Sequence, residues 1–424
     1  MIRLRSLSTL TAVLFAAGSN LAAQTTAYVG ASVWDGTGAS IIRNATMVVE
    51  DGRITAVSRS AEIPTGTEIV FLEGKVLIPG LINTHGHVSG RWAAEDVVDE
   101  QDRIRGDLEL FAKYGVTTVN SLGDGLAVIE ARKSSSPLDP RARLLSAGAV
   151  ISGNTPEAAR NQAIANADAG VDWLKLRVDD NLGSSRKMPW DAVQAVMDVG
   201  NERGIQVATH LFYLEDAKRL IDMGTGMIAH SVRDTDVDEE FIDSLLESGI
   251  CYVPTLTREV STYIYGTRPG FFDDEFFTEY ANEDEIERLS EPAYMERTLA
   301  SASGAAYRVA LVQAMENMVI LQDAGAPVTF GTDAGPAGRF PGYFEHMELA
   351  LMVGGGLTPT QALLAATSVA ASCLGLEDDI GTLEPGKWAD FIVLDEDPTR
   401  DITYTQMIDQ VYVAGQPVRT KTEN

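Results

Sequence analysis

The sequence predicts an α/β protein, a (β/α)8 TIM barrel with a small β-sandwich domain formed by both termini. Three observations carry this reading. The middle of the chain alternates short, wholly apolar strands with helical stretches, the pattern of parallel strands covered on both faces. Both ends instead show short alternating strands separated by turn signals. Eight strand–helix units fit between about residues 80 and 380, which is the arithmetic of a closed barrel.

Taken in order, residues 24–79 form the first part of the sandwich. Strand-like runs at 27–30, 45–49 and 54–57 surround Asp51-Gly52, a strong hairpin cue. The barrel follows over 80–380, with strands expected at 76–85, 117–123, 143–152, 171–178, 205–211, 227–232, 251–257 and 327–334. Helices fall between them, for example at 104–114, 156–169, 190–203 and 238–248. Residues 258–303 interrupt the rhythm after the seventh strand with Tyr263, Tyr265, Phe271, Phe272, Phe276, Phe277 and Tyr280. A connection on that side overhangs the active face, so it is either a lid and substrate wall or a packing element. Residues 381–424 return to strands and complete the sandwich.

Composition narrows the function. Of 424 residues, 61 are acidic and 33 basic, a net charge of -28, and such a field repels phosphate backbones and anionic membranes. Nucleic acid is therefore excluded as a partner, and a small-molecule substrate is expected. An assembly of identical subunits is compatible with the sequence. Arg3 and Arg5 precede an apolar run at 10–17 and small residues up to Ala23, which reads as a signal peptide over 1–23. The expected location is the periplasm or the exterior, with no membrane anchor. Cys251 and Cys373 lie in apolar surroundings and are expected as two buried thiols. Two cysteines cannot build a thiolate zinc site, so any metal must be held by histidine and carboxylate.

The five histidines are the most informative residues. His85 and His87 end the first barrel strand, His210 the fifth and His230 the sixth, while Asp333 ends the eighth. Strand C-termini of a parallel barrel converge on one mouth, so these side chains meet there. Neutral imidazoles with a carboxylate suit zinc or a similar ion. Lys175 stands near the end of the fourth strand among bulky apolar neighbours. A free ammonium would be repelled by metal ions, whereas a desolvated amine can add CO2 and become an anionic carbamate. His346 lies on the helix after strand eight and is expected to be structural. The run Gly381 to Lys387 ends in Trp388 where a phosphate-binding loop needs Ser or Thr, so it is a turn into the sandwich. Neither Gly-x-Ser-x-Gly nor His-Glu-x-x-His occurs.

The segments around these residues (78–87, 173–175, 208–210, 228–231, 331–334 and 381–390) resemble the amidohydrolase superfamily in content and order. The resemblance spans nearly the whole chain and points to the prolidase-like and imidazolonepropionase-related branch. Lys175 departs from imidazolonepropionase itself, whose site lacks a carbamylated lysine. Asn83 stands where the family more often has Asp.

The resemblance implies two divalent ions, zinc with manganese, cobalt or iron as alternatives. His85, His87 and Asp333 would hold one, His210 and His230 the other, with the Lys175 carbamate between. It implies Asp333 and His230 as catalytic residues and attack by a metal-bridging hydroxide on an amide bond. Tyr213, Arg233 and Arg258 are the candidates for substrate contact, since an arginine could pair with the carboxylate of a dipeptide or N-acyl amino acid. Arg233 and Arg258 could equally bridge the nearby acids Asp234, Asp236 or Glu259. Esterase, lactonase or phosphotriesterase activity is the alternative, and a metal-free scaffold the third reading.

Overall fold

The computed structural model describes residues 25–93 and 97–420, so the segment 1–23 expected as a signal peptide lies outside the described residues. Strands from both ends of the chain build one sheet, in place of the expected two-layer sandwich. They are β1 (Thr25–Val33), β2 (Ile42–Glu50), β3 (Arg53–Ser58), β4 (Glu68–Phe71) and β5 (Val76–Pro79). The C-terminal part adds three more strands, Phe391–Leu394, Ile408–Val413 and Gln416–Thr420.

The sheet is forked rather than two separate layers. Strand β1 pairs in parallel with β4 through Thr26–Val29 and with β5 through Ser32–Val33, while its antiparallel register with β2 shifts between Val29 and Val33. Strand β5 then pairs antiparallel with Phe391–Leu394, joining the two ends of the chain. Side-chain alternation buries both faces. Ile78, Ile392 and Leu394 enter the main barrel core, while Leu77, Phe391 and Val393 enter a separate cluster with Tyr28 and Met47. The turn at 381–387 docks on β3, where Ile54 N–H donates to Lys387 C=O (2.9 Å) and Ile54 C=O accepts from Gly386 N–H (2.8 Å).

The barrel strands are β6 (Leu81–Gly86), β7 (Val116–Ser121), β8 (Arg143–Ser146), β9 (Trp173–Arg177), β10 (Gln206–His210), β11 (Met227–Ile228) and β12 (Cys251–Tyr252), all pairing in parallel. They form two arcs, β6–β8 and β9–β12, bridged at Ile151–Leu176. The expected eighth strand is not a ladder. Residues 327–334 touch β12 through one bridge, Tyr252–Val328, and meet β6 through Thr84 N–H to Phe330 C=O (3.0 Å) and Thr332 N–H to His85 C=O (3.1 Å). The segment occupies the eighth place with irregular backbone, which is what lets Asp333 turn into the mouth.

Two readings are settled at this level. Cys251 and Cys373 are not free thiols but a disulfide, with Cα atoms 5.8 Å apart. The apolar neighbours of each cysteine describe its burial, but only the fold brings the start of β12 to the end of the helix Ser368–Cys373. Segment 258–303 is a packing element. Its short helices, among them Glu275–Thr278, Glu283–Ser290 and Pro292–Leu299, seat Tyr265, Phe272 and Phe277 in a buried cluster with Phe340 and Phe344. Phe277 and Phe340 ring centroids are 4.9 Å apart, and Tyr114 donates its hydroxyl to Phe277 C=O at 3.0 Å. Among the described residues no helix is long and apolar enough to cross a membrane.

Candidate metal centre

The mouth gathers side chains from separate strand ends, as the parallel arrangement dictates. His85 sits within β6 and His87 one residue beyond it; His210 closes β10, and His230 lies two residues past β11. Ring centroids of His210 and His230 are 4.0 Å apart, those of His85 and His230 4.6 Å, and those of His85 and His87 5.8 Å. One ligand atom each of His85, His230 and Asp333 falls within 4.8 Å of the others, all three residues buried. Asp333 Oδ1 is 2.8 Å from His87 Nε2 and 3.8 Å from His85 Nε2.

Two glycines make this closeness possible. A Cβ at Gly331 would stand 2.9 Å from His85 N, and one at Gly335 would collide with His87 C=O. Asp333 between them has φ +58°, left-handed backbone that turns its carboxylate inward.

Three histidines have one ring nitrogen fixed by a protein group, leaving the other available. His85 Nδ1 contacts Ala229 C=O (2.8 Å), His230 Nδ1 contacts Thr255 Oγ1 (2.7 Å), and His210 Nε2 contacts Asp179 Oδ2 (3.0 Å). Such outer partners set the tautomer and ring angle of metal-binding histidines. Thr255 is held at φ +51°, strained for a β-branched residue, to make that contact. Burial holds His85 and His230 well below the usual imidazole range and His210 down to about 3, so all three are neutral donors. Burial also opposes protonation of His87, but Asp124 at 3.3 Å and Asp333 outweigh it and raise the ring to about 9. Burial pushes the Asp333 carboxyl up, yet the Arg339 guanidinium and His87 hold it well below the carboxylate range.

Lys175 is the least ordinary member. Its Nζ is buried and has no hydrogen-bond partner, a costly state for an ammonium. Burial brings it down to about 7. Its charge bears on His85, His210, His230 and Asp333, so it lies close to the group.

A profile of the Amidohydrolase family matches residues 76–418. The chain belongs to the amidohydrolase family. It is 27% identical over 399 residues to an imidazolonepropionase of Deinococcus radiodurans, covering 88% of this chain and 92% of that one. It superposes on a putative prolidase from Bifidobacterium longum with a TM-score of 0.73 and 26% identity, over 95% of this chain and 96% of that one. A Xaa-Pro dipeptidase with bound methionine shares the fold at a TM-score of 0.70 and 23% identity, over 93% and 99% of the two chains. This amidohydrolase chain is thus a hydrolase of carbon–nitrogen bonds with a barrel that could hold metal at its His/His/Asp group.

The residues proposed for substrate contact are placed differently from one another. Arg233 is sealed: its guanidinium donates to Ser231 and Leu211 carbonyls and lies 3.0 Å from Glu259. Arg258 reaches the same Glu259 at 2.9 Å and packs 4.3 Å over the Tyr307 ring, with a small part exposed. Tyr213 donates its hydroxyl to Asp180 at 2.9 Å and has the Lys187 amine 4.0 Å over its ring. His346 is structural, bonded to Thr405 Oγ1 (2.9 Å) and Tyr114 C=O (2.8 Å).

Sequence reasoning did not reach Asp124, Asp179, Thr255 or Arg339, the partners that orient the group. Asp124 and Asp179 follow strands β7 and β9 on the mouth side, and that position was the available signal. Behind them Glu345 accepts from Asn83 Nδ2 (2.5 Å) and Thr332 Oγ1 (2.8 Å), and Asn83 Oδ1 accepts from His85 N–H (3.0 Å). An amide at position 83 can donate to Glu345, which a carboxylate could not.

Proposed function

We propose that this chain is a binuclear metal-dependent hydrolase that cleaves the amide bond of a dipeptide or N-acyl amino acid. The observation that carries the reading is the buried Lys175 amine without a partner, facing neutral histidines and Asp333. As an ammonium it has no reason to be there. As an amine it can attack CO2, lose a proton and become a carbamate with two anionic oxygens. His85, His87 and Asp333 would then hold one ion and His210 and His230 another, with carbamylated Lys175 serving both. Zinc suits these donors, with manganese, cobalt or iron as alternatives. Ions bound there would lower the pKa of a water and polarise the scissile carbonyl.

The chain's own groups do the rest. Asp333 Oδ1 receives the proton of the attacking water and delivers it to the leaving nitrogen, general acid–base transfer worth roughly 10²–10⁴ in rate. His230 stays neutral beside it and keeps its ring angle through Thr255. Arg258, Arg233 and Glu259 together leave one buried positive charge next to the site, which favours an anionic substrate end. Arg258 is the member of that cluster that a carboxylate can reach. The leader at 1–23 would direct export to the periplasm or beyond, and a disulfide suits an oxidising compartment.

The test compares amide cleavage of an N-acyl amino acid and its methyl ester by zinc- or manganese-loaded protein. The expected result is a strong preference for the free acid that Arg258→Met abolishes while cleavage of the ester persists. Equal or better cleavage of the methyl ester would overturn the carboxylate reading and favour neutral amides, esters or lactones. Purified protein that takes up no metal would overturn the hydrolase mechanism altogether.

A further inference from the structure

Arg339, the guanidinium that holds the Asp333 carboxyl down, lies in the loop that follows Asp333. Its Nη1 donates to Asp333 Oδ2 at 2.5 Å and to Asp333 C=O at 3.3 Å, and its Nε donates to Ser261 Oγ at 3.1 Å. The two carboxylate oxygens are thereby divided: Oδ2 is taken by Arg339, and Oδ1 is the one that faces His85 and His87. The loop itself is held from the insertion. Tyr265 donates its hydroxyl to Gly338 C=O at 2.5 Å, and Glu285 accepts from Gly338 N–H at 2.6 Å. Ser261, Tyr265 and Glu285 all belong to the 258–303 segment.

We propose that Arg339 is a positioning residue that presents Asp333 to the metal centre through one oxygen, and that the 258–303 insertion acts on the centre by fixing Arg339. The proposal rests on the metal-centre reading above. Planarity is what makes arginine suited to this place: one guanidinium spans Ser261 and Asp333 with separate donors, which a lysine amine on a single point cannot do. The aromatic packing of the insertion then has a consequence for chemistry. A buried, rigid cluster transmits its position to Gly338, and Gly338 is adjacent to Arg339. The insertion acts as a splint for the ligand-bearing loop and not as a cover over the mouth.

Three substitutions test this without changing net charge: Arg339→Lys, Ser261→Ala and Tyr265→Phe. The primary readout is zinc retention against a chelator, which needs no substrate; kcat and KM are the second. Removing an outer partner of a metal ligand typically lowers affinity or activity 10–100-fold. Arg339→Lys is expected to fall in that range, with kcat reduced and KM within about two-fold of wild type. Ser261→Ala and Tyr265→Phe should each lose a few-fold. The double variant Arg339→Lys/Ser261→Ala should be no weaker than Arg339→Lys alone, because both act through one group. Should Arg339→Lys fail to fold, Ser261→Ala and Tyr265→Phe, each lacking one oxygen atom, carry the same comparison with each other and as a pair. Zinc retention and kcat equal to wild type in the variants, or effects that add in the double variant, overturn the proposal alone. Wild-type protein that retains no metal overturns the reading beneath it, and the proposal falls with that reading.

Discussion

Replacing Lys175 by methionine should stabilise the metal-free protein while abolishing its function. The lysine amine falls from its ordinary 10.5 to about 7 because burial removes water from it and no acceptor replaces the lost hydrogen bonds. At about 1.36 kcal/mol per pH unit of displacement, holding the ammonium inside costs about 3–5 kcal/mol. Methionine fills a similar volume without a charge, so Lys175→Met removes that cost. The pH dependence follows from the direction of the displacement. Between about pH 7 and 10.5 the unfolded chain carries a proton that the folded chain has shed, so wild-type stability rises with pH across this window. Below pH 7 both states are protonated and the penalty is complete. Urea unfolding of chelator-treated protein at pH 6, 7.5 and 9 should show Lys175→Met ahead by about 3–5 kcal/mol at the lowest pH, with the advantage shrinking as pH rises. Bicarbonate should stabilise wild type by trapping the amine as carbamate and leave Lys175→Met unaffected. A variant no more stable than wild type at pH 6, or an advantage that ignores pH, would refute the reasoning.

Other outcomes follow from the same geometry. Asp333→Asn should fold normally and lose most of kcat, about 10²–10⁴-fold; unchanged turnover in a steady-state assay would remove Asp333 from the proton path. Asp179→Asn keeps the size of the His210 partner but removes its charge, and should lower zinc retention or activity about 10–100-fold, measured by chelator competition. Cys251→Ser/Cys373→Ser removes a link between residues 122 apart in sequence and should cost about 2–5 kcal/mol in denaturant titration. Identical unfolding midpoints for this pair and for wild type would count against a stabilising bridge.

The barrel was legible because parallel strands buried on both faces announce themselves as apolar runs, and because histidines are scarce enough for their strand-end positions to stand out. Its eighth strand was not, since Gly331-Thr332-Asp333-Ala334-Gly335 reads as a strand end but folds as irregular backbone. Gly331 and Gly335 are required there by the close approach of His85 and His87. The disulfide was misread for a related reason: apolar neighbours show that a cysteine is buried, not what it is buried against. The aromatics at 258–303 were visible as a group, but whether they faced the mouth or the barrel wall depended on Tyr114, Phe340 and Phe344, far away in the chain.

The sequence by itself determined which residues could bind metal, because a side chain's donor chemistry and its place at a strand end are local properties. It also marked both ends of the chain as strands, because alternation is local, while their pairing into one forked sheet was left to the fold. Only the tertiary structure decided which nitrogen of His85, His210 and His230 a protein group holds, that Lys175 has no hydrogen-bond partner, and that Arg339 occupies one oxygen of Asp333. Those are relations between groups as many as 144 residues apart, as for His85 and Ala229. They exist only once packing has fixed distances to a fraction of an ångström.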